Sequence, residues 1–463
     1  MIFAKRSESH LRGGKRNRGA HMAFSALKGW TSAQKHVVAA SYLGWTLDAF
    51  DFFLMVFVIK DVAHEFGVER EAVALAITLT LAFRALGAFV FGRLADRFGR
   101  RPILMIDVAL YSVLGFATAF APNLLAFLVI RALFGIAMGG EWGIGASLTM
   151  ESVKPEARGF VSGLLQSGYP TGYLLASVVY ALAYSQIGWR GLFMVGIIPA
   201  LLIFYVRRNV PESPGWKRDP SAAPAIGASE LAIVLLYLVS IGSWVFLPAG
   251  PLRYAVLALP VLGALFGFRK HWTLALYAVA LMTAFNFFSH GTQDLYPTFL
   301  QTQHKFDTHT VGTIAIVYNI GAMLGGLVFG SLSQSLGRRR TIVIAALLAL
   351  PMVYLWAYSE TAVMLAVGAF FVQFFVQGAW GVVPVHLNEL SPPEVRGTFP
   401  GTVYQLGNFI ASSNAVLQAN IAAKQGGNYS VALASVAVAA AVAIAVLALA
   451  GREARHVDMT RAN

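Results

Sequence analysis

The sequence predicts an all-α integral membrane protein built from two related six-helix halves. Three observations carry this. Of 463 residues, 57% are hydrophobic and only 12% charged, about half the roughly 25% that a water-facing surface carries. The apolar residues gather in runs long enough to cross about 30 Å of hydrocarbon. The two halves also repeat one another at a constant offset of 238 residues. Such a composition excludes a soluble enzyme, a disordered chain and a nucleic-acid module. The 35 Lys+Arg against 22 Asp+Glu give +13, but the charge sits in short loops, as membrane orientation requires, rather than on a nucleic-acid-binding face. There are no cysteines, hence no disulfides or thiolate metal sites.

Taken in order, residues 1–35 form a basic cytoplasmic tail, with eight Lys/Arg against Glu8. No apolar segment with a small-residue cleavage site follows, so the first span is expected to act as an uncleaved signal anchor. Met22 offers an alternative start. An N-terminal bundle, 36–208, holds spans at about 37–59, 73–92, 103–121, 124–148, 160–183 and 190–207. A central linker, 209–271, holds two further apolar stretches near 230–248 and 252–268. A C-terminal bundle, 272–450, holds spans near 275–300, 310–332, 341–358, 361–385, 398–422 and 429–450, before a cytoplasmic tail at 451–463. Twelve to fourteen transmembrane helices result. Arg93, Arg97, Arg100 and Arg101 follow span two, and Arg207, Arg208, Lys217 and Arg218 follow span six. The positive-inside rule therefore places both termini in the cytoplasm, in a cell (inner) membrane.

Gly92, Gly99, Trp142, Glu151, Pro155, Glu156, Arg158 and Gly159 match Gly330, Gly337, Trp380, Glu389, Pro393, Glu394, Arg396 and Gly397 at the ungapped offset of 238. Parallel repeats of six helices imply a two-bundle transporter with its site near the midplane between halves. Gly163, Gly168 and Gly172 on span five read as close-packing positions.

Charges inside spans cost roughly 2.5–3.5 kcal/mol each on insertion scales, so each is a functional candidate. Asp48 and Asp51 lie three apart on span one, Arg84 on span two, and Arg131 and Glu141 on span four. The matching positions of the second half hold Asn286, Ser289 and Ala322 for Asp48, Asp51 and Arg84. On span seven, Asn286, Ser289, His290, Gln293 and Asp294 fall within an arc of about 140°. They make one polar stripe, for which helix–helix hydrogen bonding is the structural alternative.

Gly92-Arg-Leu-Ala-Asp96-Arg-Phe-Gly99-Arg-Arg101 resembles the loop-2/3 signature of the major facilitator superfamily, with Gln334 replacing the Asp in the second-half echo. Arg131, Gly135 and Gly139 resemble its span-four motif, and Pro211-Glu-Ser-Pro214 its sugar-porter-like branch. The span-seven stripe resembles the signature of fungal lactate permeases and bacterial relatives in the sialate:proton symporter family. Leu47-Asp48-Ala-Phe-Asp51 is similar to the paired-Asp motif of organic-acid and aromatic-acid proton symporters, and Tyr404-Gln405-Leu-Gly-Asn408 to a substrate-facing stretch of the lactate permeases.

The resemblance implies the major facilitator fold and proton-coupled symport of a small monocarboxylate of the lactate, pyruvate or acetate class. Sialic acid or an aromatic acid is the alternative, and a transporter-like sensor a further one. Expected substrate-binding residues are Arg84, Asn286, His290, Gln293, Asp294, Gln405 and Asn408. Proton coupling is expected at Asp51, with Asp48 the rival and Arg131 and Glu141 beside them. Gating is expected at Arg93, Asp96, Arg97 and Arg100. The expected partners are a small organic anion, a proton and the lipid bilayer, with no nucleic acid, for a monomeric protein. No nucleotide loop, zinc motif or Ser/His/Asp arrangement stands in the sequence, so no cofactor, no enzymatic activity and a proton gradient as energy source are expected.

Overall fold

The computed structural model describes residues 29–216, 227–247, 250–455 and 457–459. The expectations for residues 1–28, including Met22, and for Lys217 and Arg218 lie outside the described residues. The first half runs α1 (Ser32–Phe66), α2 (Arg70–Phe98), α3 (Arg100–Thr118), α4 (Leu124–Ser152), α5 (Arg158–Gln166), α6 (Gly168–Val195) and α7 (Leu201–Asn209). The central segment holds α8 (Ala228–Phe246), α9 (Pro251–Val256) and α10 (Leu259–Gly267). The second half runs α11 (Trp272–Gln293), α12 (Tyr296–Thr302), α13 (Thr308–Leu336), α14 (Arg338–Tyr358), α15 (Ala362–Trp380), α16 (Val383–Leu390), α17 (Phe399–Ala411), α18 (Asn414–Lys424) and α19 (Tyr429–Ala450).

Ten segments among the described residues are long and apolar enough to cross a membrane. One of them, Pro155–Asn209, has 55 residues and turns back at Gly188, where φ is 61°, so it supplies two passes. The tandem α17 and α18, joined at Ser412 and Ser413, supplies the twelfth. The outer shell is apolar: Leu125, Leu182 and Phe204 are 72%, 72% and 69% exposed, a surface suited to lipid rather than water. The second central stretch does not form one helix. It breaks into α9 and α10, of six and nine residues, and nine residues rise only about 14 Å. α8 packs on α10 and against α2, where Tyr237 stacks on Phe89.

The repeat extends to the helix bounds. α2 and α13, shifted by 238, begin and end together, and α4 coincides with the span of α15 and α16. Asn123 accepts from the Ala126 N–H at 2.9 Å to cap α4, and Thr361 from Met364 at 3.3 Å to cap α15. Gly99 and Gly337, at φ 107° and 96°, separate α2 from α3 and α13 from α14. Only glycine adopts this backbone without strain. Directly after each glycine an acid takes the bare helix N-terminus: Glu212 accepts from the Arg100 N–H at 3.0 Å, and Glu453 from Arg338 at 3.2 Å. The carboxylates there complement the helix dipoles. The Pro211–Pro214 motif thus ties the end of the first half back onto α3.

Candidate functional site: a cavity between the halves, closed at one end

At the end carrying the basic loops the halves meet backbone to backbone. A Cβ on Gly143 would stand 2.7 Å from Gly401 Cα, and one on Gly330 2.7 Å from Gly159 O and from Gly163 Cα. Two matching clasps cross the seam. Asp96 accepts from the Gly397 N–H at 2.7 Å, the Thr398 N–H at 3.0 Å and the Thr398 hydroxyl at 2.5 Å. Gln334, its repeat mate, accepts from the Gly159 N–H at 3.2 Å. Behind each clasp stands the same ion pair, Arg100–Glu151 at 3.3 Å and Arg338–Glu389 at 2.9 Å, with Asp96–Arg100 at 3.2 Å in the first half. Amide for carboxylate at 334 thus keeps the acceptor and drops one charge. Arg93 donates to Gly267 O at 2.8 Å, fastening α10 to the first half. Arg97 is half-buried, 5.7 Å from the Phe98 ring centre, and joins no ion pair among the described residues.

Away from the basic loops a cavity of about 390 Å³ lies between the halves. Its walls are aromatic: Trp45, Phe52, Phe53, Phe57, Tyr169 and Tyr173 from the first half face Tyr318, Trp380 and Tyr404 from the second. All five stripe residues of span seven line it, so the stripe faces the cavity while also bonding to neighbouring helices. They are held by a side-chain network. His290 Nε2 bonds Asn408 Oδ1 at 2.9 Å and its Nδ1 bonds Asp294 Oδ1 at 3.1 Å. Gln293 donates to Gln373 Oε1 at 2.8 Å, and Gln373 donates to Thr292 Oγ1 at 2.9 Å. Asn408 donates to Gln405 Oε1 at 3.2 Å. Gln405 and Asn408 are buried and stand behind His290 rather than on the cavity wall.

The first-half charges lie deeper. Arg84 donates to Asp48 Oδ2 at 2.8 Å, with both side chains buried. Its guanidinium lies 5.8 Å from the Trp45 ring centre, and Trp45 is cavity wall. Arg84 therefore sits one side chain behind the cavity. Asp51 accepts no hydrogen bond among the described residues, and the cation facing it is Arg131. Arg131, fully buried, stacks 4.0 Å from the Phe134 ring centre, and its guanidinium donates no hydrogen bond among the described residues. Glu141 likewise has no hydrogen-bond partner on either oxygen among the described residues. All five of these charges, singled out from the sequence, are buried in the first half, and so is Asp107 of α3, which sequence reasoning missed. It also missed the aromatic wall and the glutamines at 166, 373 and 377. Gln166 and Gln377 line the cavity.

Comparison with known proteins agrees with this architecture. The family model of the Major Facilitator Superfamily matches residues 41–294, and that of sugar (and other) transporters matches residues 259–453. The chain is 28% identical to the "Probable 4-methylmuconolactone transporter" of Cupriavidus pinatubonensis, over 85% of either chain. It is 30% identical to the "Carboxylic acid transporter protein homolog" of Saccharomyces cerevisiae, over 82% of this chain and 60% of that longer one. The proton:xylose symporter XylE has the same fold, with a TM-score of 0.65 at 18% identity, over 89% of this chain and 95% of that chain. With two six-helix halves around a central cavity and a family match across more than half its length, the chain belongs to the Major Facilitator Superfamily and is a multi-pass membrane transporter, not an enzyme.

Proposed function

We propose that the protein imports a small organic acid anion together with a proton across the cell membrane, basic loops on the cytoplasmic side. The observation that carries this is the cavity: nine aromatic rings and one polar stripe, with the Asp48–Arg84 pair behind Trp45. Its volume falls within the roughly 300–1,000 Å³ that suits drug-sized ligands. Aromatic walls favour a planar unsaturated or aromatic monocarboxylate over lactate, pyruvate or acetate, because ring faces stack on rings. The smaller acids remain the second reading, favoured by the orientation of the complete span-seven stripe into the cavity. The match to a carboxylic acid transporter homolog supports an acid of either kind.

The coupling follows from one competition. Arg84 has a guanidinium fork that suits a carboxylate, but Asp48 occupies it. A proton on Asp48 removes the competing charge, so Arg84 can take the substrate carboxylate past Trp45. His290, Asn286 and Gln293 then complete the site from the second half. Once the halves rock and the substrate leaves, Arg84 reclaims Asp48 and expels the proton. This geometry favours Asp48 over Asp51 as the coupling group, since Asp51 holds no hydrogen bond to the arginine that would receive substrate.

Two measurements test the reading. In proteoliposomes with an imposed inward proton gradient, labelled benzoate should accumulate above equilibrium, and unlabelled benzoate should compete better than lactate, pyruvate or sialate. Failure of every one of these acids to accumulate would sink proton-coupled acid transport. Asp48→Asn mimics the protonated acid permanently. It should still exchange labelled for unlabelled substrate but lose gradient-driven accumulation. If Asp51→Asn shows that pattern and Asp48→Asn accumulates normally, coupling belongs to Asp51 and Arg131.

A further inference from the structure

Span three carries a charged group that no role above uses. Asp107 is fully buried, and among the described residues no group donates to either of its oxygens. Glu141, 1% exposed, is in the same position. Backbone without side chains makes room for both. A Cβ on Gly140 would stand 2.8 Å from Asp107 Oδ1, and one on Gly145 3.5 Å from Glu141 Oε1. A void of about 10 Å³ borders Glu141, Ser41, Trp45 and Trp142, roughly enough for one water. Trp45 also walls the large cavity, so the acids begin where the substrate chamber ends.

The mid-span charges of this half, apart from the Asp96–Arg100–Glu151 cluster at the basic-loop end, do not balance if every acid is ionised. Asp48, Asp51, Asp107 and Glu141 are four carboxyls against two guanidiniums, Arg84 and Arg131, and all six are at most 3% exposed. Asp48 takes Arg84 and Asp51 faces Arg131, which leaves the other two without an ion-pair partner among the described residues. The charged groups facing Asp107 are Glu141, Asp48 and Arg84, with Tyr111 on its own helix; those facing Glu141 are Asp48 and Arg84. An ionised carboxylate buried without a cation is costly enough that the group neutralises instead. The acids also descend toward the basic loops. Asp48, Glu141 and Asp107 lie 16, 11 and 7 residues from the basic-loop ends of their helices at Ser32, Ser152 and Arg100. At 1.5 Å per residue these are depths of about 24, 17 and 11 Å.

We propose that Glu141 and Asp107 hold resident protons and relay the proton carried by Asp48 to the basic-loop face. This rests on the proton-coupled reading above. When that face opens, the Asp107 carboxyl gives its proton to water and becomes a carboxylate. Glu141 transfers its proton to Asp107, Asp48 transfers its own to Glu141, and the Asp48 carboxylate returns to Arg84. One O–H bond breaks and one forms at each transfer, so one proton enters the relay and one leaves it.

Infrared spectroscopy of the whole chain in liposomes near neutral pH reads the resident protons without any substrate. Asp107→Asn and Glu141→Gln should each remove absorbance from the protonated-carboxyl C=O region. A spectrum of Asp107→Asn that superimposes on the parent there overturns the proposal. In labelled benzoate assays, Asp107→Asn should still exchange across sealed vesicles while its gradient-driven accumulation falls to equilibrium, and Asp107→Glu should restore accumulation. Normal accumulation by Asp107→Asn, or loss of exchange as well, overturns the relay, the latter by making Asp107 a packing residue. If the parent protein moves no acid at all, the functional reading fails, while the infrared result still decides whether Asp107 carries a proton.

Discussion

Arg84→Lys should insert and fold yet lose most transport. Lysine keeps the positive charge that Asp48 needs at 2.8 Å, so no buried carboxylate is stranded and the first half should hold together. What goes is the planar fork. An ammonium is a point charge on a flexible stem and cannot bind a carboxylate with two parallel hydrogen bonds. One charge-assisted hydrogen bond is worth about 1.5–3 kcal/mol net, which is roughly ten- to 150-fold in apparent affinity. The guanidinium face toward Trp45, 5.8 Å away, disappears as well, and with it the route by which Arg84 reaches the cavity. Concentration dependence of labelled benzoate uptake should show a raised half-saturation point. Uptake by Arg84→Lys equal to the parent's would place the substrate carboxylate elsewhere, with the His290 imidazole the next candidate on the cavity wall. Arg84→Gln serves as contrast. It leaves Asp48 buried without a cation and should lower the yield of folded protein as well as transport.

What could be read from the sequence follows from what a membrane makes expensive. Charges in apolar spans stand out because hydrocarbon penalises them, so Asp48, Asp51, Arg84, Arg131 and Glu141 were identifiable before any coordinates. The span-seven stripe was equally visible, since five polar residues on one helical face contrast with lipid-facing neighbours. Asp107 escaped for the opposite reason. It lies seven residues from the basic Arg100, where an acid reads as interfacial, and only its packing against α4 shows that it is sealed from water. The aromatic wall escaped because 13% of the chain is aromatic. Lipid-facing and cavity-facing rings look alike until the helices are oriented. Depth between helices was also invisible: Gln405 and Asn408 have the spacing of cavity residues but act behind His290, and Arg84 stands behind Trp45. In the central linker, hydropathy shows the second apolar stretch but not its break, for Pro251 and Pro260 stand at the starts of the two short helices α9 and α10.

Gly143→Val should hold the transporter open at the basic-loop end. In the structure α4 and α17 touch there through backbone atoms, Gly401 Cα being 2.7 Å from where a Cβ on Gly143 would stand. Neither partner has a side chain that can swing aside, so a valine can be accommodated only by parting the halves. Overpacking costs typically about 1–3 kcal/mol, and it falls only on the state in which this end is shut. That difference shifts a two-state equilibrium roughly 5- to 150-fold. Because the halves rock as bodies, opening the basic-loop end should close the other end over the cavity. The natural absence of cysteine makes this directly measurable. Val56→Cys places a thiol on the cavity wall at a side chain 37% exposed, and a membrane-impermeant maleimide added from the far side should label it readily. Adding Gly143→Val should slow that labelling sharply, while size-exclusion profiles stay those of a folded protein. Labelling at the parent rate would mean that α17 yields locally, and the glycine contact would then be packing rather than a hinge between two states.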